Sequence, residues 1–180
     1  MVDMIQTKQQ LIDAYADNAA RAITAQVHRN AVVSYLSCTG QLTGADGPLA
    51  LSVAAAPVTF SAAGAASGGV TSDVLFDYLD IAPGGDGIYL FGFDLAFETS
   101  VANNSLVYVG LYLNGTMLIE QPRVMTNQNN DISIGGTFLT GQLVATDRVQ
   151  LGIRCANAGT IAWGSGLMFL ARQASTPVTA

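Results

Sequence analysis

The side chains that could do chemistry are few, and their spacing argues against most chemistries. The chain has one histidine, His28, so no cluster of histidine metal ligands can form within one copy. His28 sits beside Arg29 in a segment of helical spacing, where a half-exposed helix position or a subunit contact accounts for it without catalysis. Ser67 and Ser165 stand among glycines, but neither has the G-x-S-x-G spacing of a nucleophile elbow. Cys38 and Cys155 lie far apart and fit no metal or redox spacing, so two free, buried thiols are expected. Asp73, Asp77 and Asp80 cluster ahead of a strand, with Asp86 in the turn that follows. They could in principle gather oxygen ligands for calcium, yet they lack the EF-hand spacing, and solvated loop and strand-edge acids account for them better. Asn103-Asn104-Ser105 and Asn114-Gly115-Thr116 match the glycosylation triplet within turn-forming sequence. The expectation is therefore a protein that is not an enzyme, with no catalytic residues, no metal ligands and no cofactor.

The composition turns this toward assembly. Of 180 residues, 50% are hydrophobic, only 11% are charged and 19 are glycine. That length makes one domain, or one domain and an appendage, with enough chain to bury a core. Seven Lys and Arg against 13 Asp and Glu give a formal charge of −6. A chain of that sign lacks the basic footprint of a nucleic-acid binder, so DNA and RNA are poor partners. With so few charges to cover a monomer, part of the apolar excess is expected to face other subunits. The longest apolar runs, such as Leu106 to Leu113, fall far short of the roughly 20 residues of a membrane helix, so no membrane span is expected. Met1-Val2-Asp3-Met4 does not open like a secretory signal, and no export is expected.

The elements that position these residues divide near Gly40. Glycine and proline are absent over Met1 to Thr39. Thr7-Lys8-Gln9-Gln10 has the form of a capping box ahead of Leu11, Ile12 and Tyr15. Thr24 offers a second N-cap before Val27, Ala31, Val32 and Tyr35, which predicts a second helix from about Ala25 to Leu36. Two such short helices are not stable alone. Residues 1–39 are therefore expected to form a helical anchor, with Leu11, Ile12, Tyr15, Val27, Val32 and Leu36 seeking a partner surface. Residues 40–69, rich in Ala, Gly and Ser and holding Pro48 and Pro57, are expected to be a linker with marginal strands such as Leu49 to Val53.

After Val70 the period becomes two. Tyr89, Phe91, Phe93, Leu95 and Phe97 alternate with Leu90, Gly92, Asp94, Ala96 and Glu98, which predicts a strand with one buried aromatic face. Leu106 to Leu113 is apolar on both faces, Val107, Val109, Leu111 and Leu113 on one and Leu106, Tyr108 and Tyr112 on the other. Either Leu106, Tyr108 and Tyr112 belong to the core, or they form a three-fold subunit interface, where tyrosine gives large contact area and a hydroxyl. Asn114-Gly115 is a two-residue hairpin turn before a returning strand at Thr116 to Ile119. Further strands are expected at Ile132 to Leu139, Arg148 to Cys155 and Leu167 to Arg172. Gly92, Gly110 and Gly152 fall inside strands, where glycine needs a close neighbour to justify it. The pattern predicts a mainly β chain: an antiparallel jelly-roll sandwich over residues 70–180, preceded by short N-terminal α-helices.

Val74 to Phe93, with Ala82-Pro83-Gly84-Gly85-Asp86-Gly87-Ile88-Tyr89-Leu90-Phe91 at its centre, resembles the C1q/tumour-necrosis-factor-like jelly rolls where the chain enters a core strand. Val107 to Gly115 is similar to that family's strand and Asn-Gly hairpin, and Leu143 to Leu151 resembles its "L..GD.V.l" strand. Thr146 stands where the family has glycine. Phe169-Leu170 takes the place of the closing strand, so the likeness spans Val70 to Arg172. The resemblance implies a homotrimer without catalytic residues, and some members bind calcium near the trimer axis. A second likeness joins Ala22 to Val33 to the N-terminal segments of bacteriophage head-fibre, decoration and tail-fibre proteins. Together they imply a virion structural protein: a trimeric capsid decoration, cement or head-fibre protein. Such a protein would be made in the cytoplasm of a host bacterium and carried on the capsid surface, held by the major capsid protein or another virion protein. Two alternatives remain open. One is a tail-fibre protein gripping a host surface glycan or protein, and the other is a C1q-like bacterial lectin.

Overall fold

The structure is a computed structural model that describes residues 38–73, 75, 77–102, 104–125 and 132–175. All its regular elements are strands: β1 (Cys38–Ala45), β2 (Leu49–Leu51), β3 (Ala56–Pro57), β4 (Phe60–Ala63), β5 (Ser67–Gly68), β6 (Val70–Ser72), β7 (Leu79–Ile81), β8 (Gly87–Thr99), β9 (Leu106–Leu113), β10 (Thr116–Val124), β11 (Ile132–Leu143), β12 (Arg148–Cys155) and β13 (Gly159–Ser175). Every pairing is antiparallel. Sheet A runs β11-β8-β13-β1-β4, with β2 on β13 and β5 on β1, and sheet B runs β10-β9-β12-β7-β6, with β3 on β12. The expected helices at residues 1–37, and with them Leu11, Ile12, Tyr15, Val27, Val32 and Leu36, lie outside the described residues. Among the described residues no helix is long and apolar enough to cross a membrane.

The period of two in β8 sets the core. Tyr89, Phe91, Phe93, Leu95 and Phe97 are all buried, and so are Val107, Val109 and Leu111 from β9 and Val149, Leu151 and Ile153 from β12 across the sandwich. Successive strand side chains point to opposite faces, so these odd positions form one continuous apolar layer between the sheets. Phe138 of β11, opposite Phe91 in register, closes an aromatic group with Phe91 and Phe93 at ring separations of 6.0 to 6.4 Å. Trp163 meets Phe97 edge-on at 5.6 Å. Both geometries suit the ring quadrupole. Where the register of β11 shifts between Leu139 and Gln142, the Tyr89 amide donates to the Thr140 hydroxyl at 2.9 Å. The side chain thereby replaces the ladder bond that a bulge removes.

The stretch expected to be a linker belongs to the sandwich, so the boundary placed near Val70 moves back to Cys38. Strand β1 lies inside sheet A, paired with β13 through Thr39↔Ala171 to Thr43↔Leu167 and with β4 and β5 on its other side. Cys38, Gly40 and Leu42 face the core while Thr39, Gln41 and Thr43 face outward. β3 caps part of β12, and β2 extends β13. Small residues are what this place requires, because a Cβ at Gly40 would collide with Val70.

Replacing Phe91, which is fully buried, leaves a void that β11 and β13 cannot close. Phe91→Ala is expected to cost about 3–5 kcal/mol, seen as a lower urea midpoint with the native slope.

Candidate functional site: two outer faces and a polar cleft

Three of the expected residues land on an outer surface. Leu106, Tyr108 and Tyr112 share the outward face of β9 and are half-buried there, opposite the core-facing Val107, Val109 and Leu111. They are not core residues, so the face expected for them is an outer one. Most of their cover comes from the same chain. Arg154, opposite Tyr108 in register, lays its guanidinium over the Tyr108 ring at 3.9 Å and grips Glu120 of β10 with two hydrogen bonds of 2.7 and 2.5 Å. Tyr112 and Met117 lean over Gly152, whose missing side chain makes the space. The Glu120 carboxyl is held below its ordinary value by the Arg154 hydrogen bonds, against a smaller opposing effect of burial.

The outer face of sheet A is more apolar. Leu90, Leu167, Phe169 and Ala171 are half-buried there, and Ile88 and Leu139 are exposed at 39% and 63%. Registers Leu139↔Leu90, Leu90↔Ala171 and Gly92↔Phe169 make them neighbours across three strands. The Phe169 ring lies flat on Gly92, where any side chain would displace it. Gly92 and Gly152 thus find within one chain the close neighbours that glycine inside a strand needs.

The third feature is a cleft of about 590 Å³ lined by Asp77, Tyr78, Asn114, Gly115, Thr146, Arg148 and Gln150. Its floor is the outward row of β12, and its walls are the β6–β7 loop, the β9–β10 turn and the β11–β12 turn. A tight network joins the β9–β10 turn, the β11–β12 turn and the end of β7, and the Gln150 side chain reaches the β6–β7 loop by donating to Asp77 O at 3.3 Å. Asn114 donates through Nδ2 to Asp147 Oδ1 at 2.8 Å, and its Oδ1 accepts from the Arg148 amide at 2.9 Å. Asp147 Oδ2 accepts from the Val144 amide at 2.8 Å. The Thr146 amide donates to Ile81 O and the Ile81 amide to Asp147 O, at 2.8 and 2.9 Å. The Asn-Gly and Asp-Arg pairs that stand apart in sequence therefore meet here. Arg148 packs over the Tyr78 ring at 4.7 Å and pairs with Asp80 at 3.7 Å.

The acids expected to be calcium candidates do other work. Asp73 accepts from the amides of Leu75, Asp77 and Tyr78 at 3.2, 2.7 and 3.4 Å, which closes the loop on itself. Asp86 accepts from the Ala145 amide at 2.6 Å, and Asp80 faces Arg148. Burial, and after it the Asp73 charge, raises the Asp77 carboxyl. Asp80 is raised chiefly by burial, with Arg148 opposing. Among the described residues no three His, Cys, Asp or Glu side chains gather where they could hold a metal ion. Cys38 and Cys155 are buried and unpaired. The Tyr89 phenol donates to Gly85 O and is pushed far above its ordinary value, first by burial and then by nearby Cys38. Ser67 shares a hydrogen bond with Thr39 at 3.1 Å.

Comparison with known proteins defines the class of fold. No protein-family model matches the chain, and no curated protein does. Solved structures do. Eiger TNF from S. frugiperda aligns with a TM-score of 0.59 at 13% identity over 81% of this chain and 98% of that one. Murine APRIL aligns with a TM-score of 0.50 at 17% identity over 74% and 98%. At these identities the likeness is one of fold: the chain is a tumour-necrosis-factor-like antiparallel jelly roll.

Glu120 is lowered in the folded chain, so its contribution to stability is complete above its unfolded value near 4.5 and is lost as pH falls through the lowered one. Glu120→Gln is expected to remove that acid-side loss from urea midpoints measured across pH, and a double-mutant cycle with Arg154→Ala to give a coupling of about 0.5–1 kcal/mol. A second outcome concerns Thr146, which is β-branched yet holds φ at 81°. Relief of left-handed strain, about 1–2 kcal/mol, exceeds the entropic cost of glycine, about 0.5–1 kcal/mol. Thr146→Gly is therefore expected to leave thermal stability unchanged or raise it by up to about 1 kcal/mol.

Proposed function

We propose that the chain is a non-enzymatic structural module: a homotrimeric jelly roll that decorates or cements a bacteriophage capsid, or stands on it as a head fibre. Residues 1–37 attach it to the major capsid protein or another virion protein. The observation that supports assembly best is the outer face of sheet A. Ile88, Leu90, Leu139, Leu167, Phe169 and Ala171 form a connected apolar surface in a chain with only 11% charged residues. Within this surface Asp94, opposite Leu167, is the one acid among these apolar residues, and a second and third copy of the same chain would cover it. The outward face of β9 is the weaker candidate, because Arg154 and Glu120 already occupy Tyr108. The particle-binding half of the proposal rests on the likeness of Ala22 to Val33 to phage segments, and on apolar residues there that need a partner.

Leu139 is mostly exposed, so Leu139→Asp leaves the folding of one chain intact. In a trimer the same carboxylate would be buried without a partner, at several kcal/mol per copy. Sedimentation is expected to find a trimer for the native protein, a monomer for Leu139→Asp, and a trimer for Tyr108→Asp. Loss of assembly in Tyr108→Asp alone would move the interface to sheet B. A chain starting just before Cys38 retains every described strand and is expected to trimerise but not to decorate particles stripped of the native protein. Full decoration by that shortened chain would sink the attachment role of residues 1–37.

A further inference from the structure

We propose that the cleft between Tyr78, Thr146, Arg148 and Gln150 on the outer face of sheet B binds a neutral saccharide. Its volume of about 590 Å³ lies within the roughly 300–1,000 Å³ of small-molecule sites. The residues lining it select the ligand by elimination. Arg148 stands in the middle and Asp80 beside it, and three His, Cys, Asp or Glu side chains nowhere gather among the described residues, so a metal cation has no ligand set. An anion would meet one arginine already paired with Asp80, with Asp77 on the opposite wall and a net charge of −6 around it. An apolar ligand would strip water from hydroxyl, amide and guanidinium groups and give them no partner. What fits is an uncharged molecule with many hydroxyls and an apolar ring face.

The lining supplies the matching groups. Tyr78 and Thr146 carry hydroxyls, Arg148 donors and Asp77 acceptors, and Gln150 keeps its side-chain oxygen and one N–H beyond the bond it donates to Asp77 O at 3.3 Å. Tyr78 also offers an aromatic surface on which the weakly positive C–H groups of a sugar ring can stack, and Arg148 holds one side of that ring in place. The β9–β10 and β11–β12 turns need not rearrange to receive a ligand, because Asn114, Asp147 and the Thr146 and Ile81 backbone already tie them together. A preformed site avoids the ordering cost of binding. Thr146 adds an independent sign. It keeps a side chain at φ 81°, where glycine would sit without strain, and that side chain lines the cleft. The cleft belongs to sheet B, so the proposal stands apart from the assembly proposed through sheet A.

The test uses the full chain and saturation-transfer difference NMR with the methyl glycosides of glucose, galactose, mannose and N-acetylglucosamine, with inorganic phosphate and calcium ion as competitors. At least one glycoside is expected to receive saturation that neither competitor removes. Its affinity should fall on the order of tenfold in Gln150→Ala and in Tyr78→Ala, the loss of one well-placed polar or stacking contact. Thr146→Gly, with its relaxed backbone, serves as the variant that keeps the fold, and it should weaken the same glycoside without lowering the melting temperature. No saturation of any glycoside overturns the proposal. So does a glycoside whose affinity is unchanged in Gln150→Ala and Thr146→Gly, since it would bind elsewhere, and so does displacement by phosphate or calcium. A monomeric Leu139→Asp that still binds the glycoside would separate this site from the assembly reading.

Discussion

Tyr89, Phe91, Phe93, Leu95 and Phe97 can leave water together only while β8 is flanked by β11 on one side and β13 on the other. An isolated strand cannot bury them, because its backbone groups would then lack partners. β8 is thirteen residues long and β13 seventeen, and their ladder spans Ile161↔Thr99 to Ser175↔Gly87. The other strands take their depth in the sandwich from this pair. β9 and β12 face it across the core with Val109, Leu111, Leu151 and Ile153. β1 can enter sheet A only along the free side of β13. The same constraint fixes both outer surfaces. Once odd positions of β8 face inward, Ile88, Leu90 and Gly92 must face outward, and the apolar character of that second row becomes a matter for another molecule.

The cleft depends on a smaller device. Asp147 and Asn114 lie on different connections, and the Asn114 amide, which donates to the Asp147 carboxylate and accepts from the Arg148 backbone N–H, locks the β9–β10 turn to the β11–β12 turn. Backbone bonds from Thr146 and Ile81 then join β7 to the same point. Arg148 follows Asp147 directly, so its side chain is aimed by that lock, over Tyr78 and toward Asp80. Two turns and the end of β7 become one wall, held by short-range polar contacts at the margin of a core made of apolar ones.

Much of the fold was legible because period-two patterning is strong where side chains are large. The boundaries of β9 and β12 follow from the residues alone, and β8 and β11 extend the expected strands at their ends. β1 was hidden by its composition. Cys38, Gly40 and Leu42 do alternate with Thr39, Gln41 and Thr43, but small and hydroxylated residues give this alternation too little contrast against a glycine-rich background. The closing strand was read short because Gly164, Ser165 and Gly166 look like a turn. In the structure they pass through a register shift beside Ala96 and remain in the ladder. Tyr108 and Tyr112 were correctly placed on one face, and only the pairing of β9 with β10 and β12 decides that the face is an outer one. The cleft had one sequence signal, Thr146 at a place where the resembled family has glycine. Tyr78, Asn114 and Gln150 come from a loop, a turn and a strand far apart in sequence, and nothing in their local spacing shows that they meet.

The antiparallel pairing of β1 with β13 puts Cys38 next to the last turns of β13, at the end of the sandwich where Leu143 and Gly87 also meet. The chain thus enters and leaves at one pole, and the β11–β12 turn of the cleft is at that pole too. β8 runs from it to the opposite pole, about 40 Å away for thirteen extended residues. Ser100, Asn104 and Asn157 stand there, well away from the point of entry. The sandwich thus presents two unlike ends, the cleft beside Cys38 and the end of β13 at one and a polar rim at the other.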